Sequence, residues 1–388
     1  MPPDGLNVPP LPDAITDDVL REARRLLVEE LLGDFMFEGV SRDALVKVAL
    51  GDEVPPPSLL NLIGFMLEQF VRPLIEGPVL PMLITKPIRG AGASLLMEAV
   101  QIVVDGLPSS RPLSKSEDER RKTVFTALLA GAATIYWDNV VGSVDSQVLA
   151  QLFSEDTFTD RELGRSAERQ LPVRASFALS GNRPTFSDEL RRRLSLVNLD
   201  PQTHEPEKRL GFRHRNLPAW AREHRGELVW ALLVLARNWL DRGRPAPRNA
   251  PTIGRYESYV DTIGGIIEAA APSWTTWQGN RAALNEIASN DEEEDIALLV
   301  ETWHSNATLR TSATARDVAE LADANDLGLP VKRVSSGDGV KYAPRSMAAD
   351  LKQHLGRIFA LSDGMRVRLL QSSSRRADGH PWSLVAIS

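Results

Sequence analysis

The chain has no cysteine among its 388 residues, which removes disulfides, cysteine-based zinc sites and thiol nucleophiles from consideration. Its six histidines show no HExxH or comparable metal spacing. No apolar run approaches the ~18 residues needed to span a bilayer. The Pro-rich start, Met1 to Ala14, lacks a basic leader and an apolar signal core, so a cytoplasmic location is expected. The protein is not basic all over: its net charge is −7, which leaves room only for a local basic patch. No internal repeat is visible.

What is present is the composition of a globular protein, 43% hydrophobic and 25% charged, at a length that suits two or three domains. Apolar residues recur at helical spacing over Asp17 to Leu32 and Ser58 to Ile75, with Pro55-Pro56-Pro57 between them. The character then changes. A short apolar run, Pro78 to Thr85, meets a Gly-rich turn, Arg89 to Ser94, and a helix pattern, Leu95 to Val104. A second helical stretch spans Glu117 to Leu129. Further strands are expected at Ala133 to Asp138, Ala175 to Ser180 and Ser195 to Leu199. Strands alternating with helices predict a parallel α/β sheet flanked by helices. From Leu217 to Ala271 the pattern is helical again, and the acidic run Asn290 to Asp295 is read as a boundary or a helix start.

Strand, glycine turn, helix is the order of a phosphate-binding loop, in which backbone N–H groups and a helix N-terminus face phosphate oxygens. On the pattern GxxxxGK[ST], Pro87 falls at the first glycine, Gly92 at the second, Ala93 at the lysine and Ser94 at the metal-binding hydroxyl. Gly90 adds a second flexible position. The alternative is a plain tight turn. Other positions favour the nucleotide reading. Asp138 ends the second expected strand, about 45 residues on, where an acid would organise Mg²⁺. Asn182 follows the third, where a polar side chain can position water. Arg192 and Arg193 precede the fourth, from which a neighbouring subunit can insert a cation. Each has a structural alternative as a turn former or solvated charge.

These segments together resemble the AAA+ helicase-like ATPases of phages and integrative elements, often found behind a primase. The stretches that carry the resemblance are PMLITKPIRGAGASLL, TIYWDNVVG, FTDRELGRS, FALSGNRP and LRRRLSLVNLD, with FRHRNLPAWAREHRGELVWALLVLARNWLDRGRP resembling the helical lid. The resemblance implies ATP and Mg²⁺ as cofactors, Asp138 as the Mg²⁺-organising acid, Asn182 as sensor 1, and Arg192 or Arg193 acting in trans. It further implies a homo-oligomeric ring, expected to be a hexamer, in the replication of mobile DNA. Two departures stand out. Ala93 removes the phosphate-binding lysine, and Asn139 stands where many such proteins carry a catalytic glutamate. An amide can hold water but cannot take its proton. Losing one such contact costs ~10²–10³ in rate. Lys86 and Arg89, within the loop, are candidates to replace the lysine's charge; the alternative is that both face solvent.

The expected organisation is a helical region over 1–77, an α/β core over 78–215, a helical lid over 216–290 and a last unit over 291–388. In that last unit three helices (Ile296 to Ser305, Ala313 to Asn325, Arg345 to Phe359) and two strands (Arg366 to Gln371, Trp382 to Ile387) predict a winged helix. From Val331 on there are ten basic residues against four acidic, net +6. Arg345, Lys352 and Arg357 on the third helix, and Arg375, Arg376 and His380 on the wing, are the expected contacts to single-stranded or duplex DNA. A winged helix can serve protein contacts instead. Two functions remain open: an ATP-driven DNA helicase, or an ATP-binding assembly or loader protein with little or no turnover.

Overall fold

The computed structural model describes the chain except residues 1–5, 87–89, 162–167, 183, 202–205, 207–208, 250, 307, 310, 326, 328, 330, 337–338, 362–363, 375–379 and 388, and the side chains of 161, 285–294, 335–336 and 339–340. It divides into two compact units, 1–285 and 286–388.

The first unit opens with α1 (Asp17–Arg24), a π-helical continuation (Arg25–Leu31), α2 (Arg42–Leu50) and α3 (Pro57–Val71). Next come β1 (Met82–Thr85), α4 (Ala93–Val104), α5 (Glu117–Leu129), β2 (Thr134–Val140), β3 (Ser143–Val144) and α6 (Gln147–Ser154). The hairpin β4 (Thr157–Arg161) and β5 (Glu168–Pro172) leads to β6 (Ser176–Gly181), β7 (Thr185–Phe186), α7 (Asp188–Arg191) and β8 (Ser195–Asn198). The unit closes with α8 (Leu217–Glu223), α9 (Arg225–Asp241), α10 (Glu257–Tyr259), a π-helical stretch (Val260–Gly264) and α11 (Gly265–Ala270). Local chemistry sets many of the helix starts: the hydroxyls of Thr16, Ser41, Ser116 and Ser146 accept the N–H of Val19, Ala44, Glu119 and Leu149.

β2, β6, β1 and β8 pair in that order, all parallel. β1 and β6 are buried along their whole length, as expected of strands with apolar runs and helices on both faces. The chain passes from β1 to β2 through α4 and α5, leaving a gap that β6 later fills. One hydrophobic cluster joins Leu27, Leu62, Leu96, Leu232 and Ile266. The segments expected as helical region, core and lid therefore all contribute to this cluster.

α12 (Arg281–Ser305) runs continuously through the acidic run 290–295, which begins a few residues after the division between the two units. The second unit continues with α13 (Ala315–Ala324), β9 (Arg333–Ser336), β10 (Gly339–Tyr342), α14 (Pro344–Gln353), β11 (Ile358–Ala360), β12 (Arg366–Gln371) and β13 (Trp382–Ile387). A capping box between Thr314 and Asp317 starts α13. β11, β12 and β13 form an antiparallel sheet, and Ala313 bridges Trp382. Leu299, Trp303, Val318, Met347, Leu351, Val367 and Trp382 belong to a separate core.

Several features differ from the sequence expectation, among them the β4–β5 hairpin and β11. The β9–β10 hairpin lies between the second and third expected helices, where the sequence analysis assigns no element. α14 stops at Gln353 instead of running to Phe359, and Gly356, at φ 83°, turns the chain into β11. Among the described residues no helix is long and apolar enough to cross a membrane.

Candidate functional site

β1 ends at Thr85, and the chain then turns through glycines into α4. Gly90 and Gly92 adopt φ of 84° and 91°, left-handed values that cost an L-residue about 1 kcal/mol or more. Gly92 is the N-cap of α4, and a Cβ there would sit 3.5 Å from the Phe35 ring. Phe35 thus lies under the turn. It belongs to the segment that follows the π-helical stretch, and Phe37 bridges Leu199 just past β8. The N-terminal region therefore helps to shape the turn, a role that spacing alone gave no sign of. Lys86 is half-buried directly after β1; Arg89 lies outside the described residues.

Ala93 is the first residue of α4 and only 1% exposed, its methyl group in the core. Ser94 is exposed, and its Oγ donates to Asp138 Oδ2 at 3.0 Å. On the other carboxylate oxygen, Asp138 Oδ1 accepts from Ser180 Oγ at 2.6 Å and from the Asn139 backbone N–H at 2.8 Å. Ser180 is hydrogen-bonded in turn to the Tyr136 hydroxyl at 2.8 Å. Burial pushes the Asp138 carboxyl up. The hydrogen bonds from Ser180, Tyr136, Ser94 and the Asn139 amide outweigh it and hold the group below the ordinary carboxylate range. Burial raises the Tyr136 phenol far from its ordinary value, so it stays a neutral donor.

The end of β2 is irregular. Its register with β6 shifts between Trp137 and Val140, and Asn139 sits at φ 56°, a left-handed conformation that asparagine tolerates better than most residues. Val140 pairs with Gly181, where a Cβ would fall 2.3 Å from the Val140 carbonyl oxygen. Only glycine lets the two strand ends close to this distance. Asn182 follows, exposed, one residue past β6. Ser180 and Tyr136 escaped the sequence reading. A serine inside the buried run FALSG was the available signal, because a fully buried hydroxyl needs a partner.

The two arginines lie elsewhere. β8 runs parallel to β1, and Ser195 is level with Met82 at the amino edge of the sheet. Arg192 and Arg193 are therefore separated from Thr85 by the length of a four-residue strand, roughly 13 Å at 3.3 Å per residue. Neither is placed beside Asp138. Arg193 pairs with Glu189 at 3.1 Å, whereas the Arg192 side chain is exposed.

Among the described residues no group of three or more His, Asp or Glu side chains gathers to hold a metal. Ser94 and Asp138 are both hard oxygen donors. Such a pair suits Mg²⁺, which uses few protein ligands and completes its shell with water and phosphate oxygens.

In the second unit Arg345 and Lys352 are exposed on α14, one face of which also carries Ala349, while Met347 and Leu351 are buried. Arg357 is not on this helix; its guanidinium lies 5.5 Å over the Phe359 ring at the start of β11. Arg366 and Arg368 alternate with buried Val367 and Leu369 on β12. Arg375 and Arg376 lie outside the described residues. His380 is exposed, with its Nδ1 3.1 Å from the Ser372 carbonyl oxygen.

No protein-family model matches the chain, and no curated protein matches it. Two similar solved structures are described as the A form apo structure of the NrS-1 C terminal region. One aligns at 9% identity over 87% of this chain and 78% of that chain with a TM-score of 0.40, the other at 10% identity over 87% and 76% with a TM-score of 0.36.

Proposed function

We propose that the chain is a nucleotide-binding protein of the AAA+ kind that hydrolyses ATP to drive a DNA helicase or translocase in the replication of a mobile element, acting as a homo-oligomeric ring. The observation that carries this reading is the meeting of Ser94 and Asp138 beside a glycine turn and the start of a twelve-residue helix, at the carboxyl edge of a parallel sheet. Ligands of open α/β sheets bind at that edge. In this reading the turn amides and the α4 N-terminus face the phosphates, and Ser94 and Asp138 hold Mg²⁺. The metal's charge would offset that building on the phosphoryl oxygens. Asn182 orients the attacking water. Arg192 acts on a neighbouring copy, because it is on the wrong edge to reach its own site.

The second unit is assigned to DNA. Three helices followed by a hairpin support a winged helix, with β9–β10 as an insertion before the third helix. The exposed face of α14, with Arg345 and Lys352 on either side of Ala349, suits a groove.

A second reading is favoured by two residues. Ala93 offers a buried methyl group where a lysine would meet phosphate, and Asn139 offers an amide where a base would stand. A protein so built binds ATP and marks or loads DNA with little turnover. Phosphate release with and without single-stranded DNA separates the two. DNA-stimulated release supports the motor. Mg²⁺-dependent ATP binding without release supports the loader, and no binding up to millimolar ATP overturns both.

A further inference from the structure

β8 is an edge strand, and edge strands leave backbone groups to be satisfied. Side chains take the place of a fifth strand as far as Asn198, whose carbonyl accepts from the Glu38 backbone N–H at 3.2 Å beside the Phe37–Leu199 bridge. Arg281 donates to the carbonyls of Arg192 and, at 2.8 Å, of Leu194. Asn61 and Asn280 donate to Leu196 O at 2.8 and 3.2 Å. The Asn198 N–H donates to Ser58 Oγ at 3.0 Å.

These side chains also bond one another. Gln278 Oε1 accepts from Arg281 at 3.3 Å, the Gln278 N–H donates to Asn61 Oδ1 at 2.8 Å, and Asn61 donates to Asn280 Oδ1 at 3.0 Å. Asn280 then donates to Ser58 at 3.3 Å. At the far end the Asn198 carboxamide oxygen accepts from the Thr85 hydroxyl, and its amide donates to Glu38 Oε2 at 2.7 Å. Thr85 is the last residue of β1, five residues before Gly90. One continuous row of hydrogen bonds thus runs from the Arg192 turn at the amino edge to Thr85 at the carboxyl end of β1.

Capping an edge does not require such a row; a charge or a bulge suffices. Burying several amides is costly unless each is bonded. Gln278, buried at 3% exposure, is also held at φ 59°, a left-handed strain carried by a non-glycine residue. The row is specified more tightly than packing demands.

We propose that Asn198 and Glu38 are positioning residues for the glycine turn, and that the side-chain row along β8 couples that turn to the Arg192 turn, so that engagement of Arg192 by a neighbouring copy tightens nucleotide binding in the chain's own site. This rests on the nucleotide reading above.

The test uses the full chain, a fluorescent ATP analogue with Mg²⁺, and sedimentation to follow association. Asn198→Asp keeps an acceptor for Thr85 but sets a carboxylate against Glu38. It should weaken nucleotide binding about tenfold, the scale of a lost charge-assisted hydrogen bond. Adding Glu38→Gln exchanges amide and carboxylate, and should restore affinity to within about twofold. Glu38→Ala, at an exposed position that leaves the core intact, should weaken binding about threefold or more. Arg281→Lys, at the other end, should reduce nucleotide-dependent association. Combined with Asn198→Asp, it should depart from additivity by more than about threefold. Unchanged affinity in both Asn198→Asp and Glu38→Ala overturns the positioning role. Additive effects at the two ends overturn the coupling. A wild type that binds no nucleotide overturns the nucleotide reading itself, and this inference falls with it.

Discussion

Ser94 Oγ donates to Asp138 Oδ2 at 3.0 Å although 44 residues separate them in the chain. The contact exists because β6 enters the sheet between β1 and β2. Ser180 at its end then orients the Asp138 carboxylate toward the start of α4. A carboxylate with donors on both oxygens is held in one rotamer, and a cation bound there meets a preset ligand.

Asp138→Ala is expected to weaken Mg²⁺-ATP binding about 10- to 100-fold, the range for losing a charged partner. Binding of ATP without metal should change little. Calorimetry with and without Mg²⁺ checks this, and equal losses in the two conditions would contradict a metal role. The Asp138 carboxyl is held below its ordinary value of 3.8. A depressed carboxyl adds stability that is present above the unfolded value and lost as pH falls through the lower folded value. Asp138 should therefore remain a charged ligand throughout the mildly acidic range.

Arg192 and Arg193 should behave differently. Glu189 already engages Arg193, so Arg193→Ala should act mainly on stability. Arg192→Ala should lower any ATPase rate by ~10³ or more, the scale of a cation supplied in trans. Mixing Arg192→Ala with Asp138→Ala subunits should partly restore phosphate release. No rescue in an assembled mixture would remove Arg192 from a role in trans.

DNA affinity of the full chain should fall with salt, and Arg345→Ala/Lys352→Ala should flatten the log–log slope by about 2 units, at ~0.9 per phosphate contact on duplex DNA. Filter binding over a salt series reads this directly. An unchanged slope would point to protein contacts for the α14 face.

Glu68 gives the fold a pH dependence. It is wholly buried on α3, and burial pushes its carboxyl up to about 8, against the nearby Ser176 and Tyr259 hydroxyls and the charge of Arg72. The folded chain therefore prefers the neutral acid, while the unfolded chain ionises near 4.5. Stability should fall as pH rises from 4.5 towards about 8 and level off above that. Glu68→Gln should remove this slope and be more stable than wild type at alkaline pH. Urea unfolding midpoints at several pH values test it; parallel curves for the two proteins would contradict the assignment.

The sequence by itself determined the order of the main helices and of the four parallel strands, because apolar periodicity, hydroxyl caps and glycine turns act over a few residues. It also marked Ser94 and Asp138, since a strand-end acid and a turn-end serine are local features, and it placed the basic excess in the last sixty residues or so. Tertiary structure decided the rest. It chose which of two adjacent arginines Glu189 engages, buried the methyl of Ala93, ended α14 before Arg357 and put Phe35 under Gly92. It also brought Asn280 to the same strand edge as Ser58 and Asn61, more than 200 residues earlier in the chain. Such contacts follow from how faces pack and which backbone groups remain unpaired. Spacing along the chain records neither.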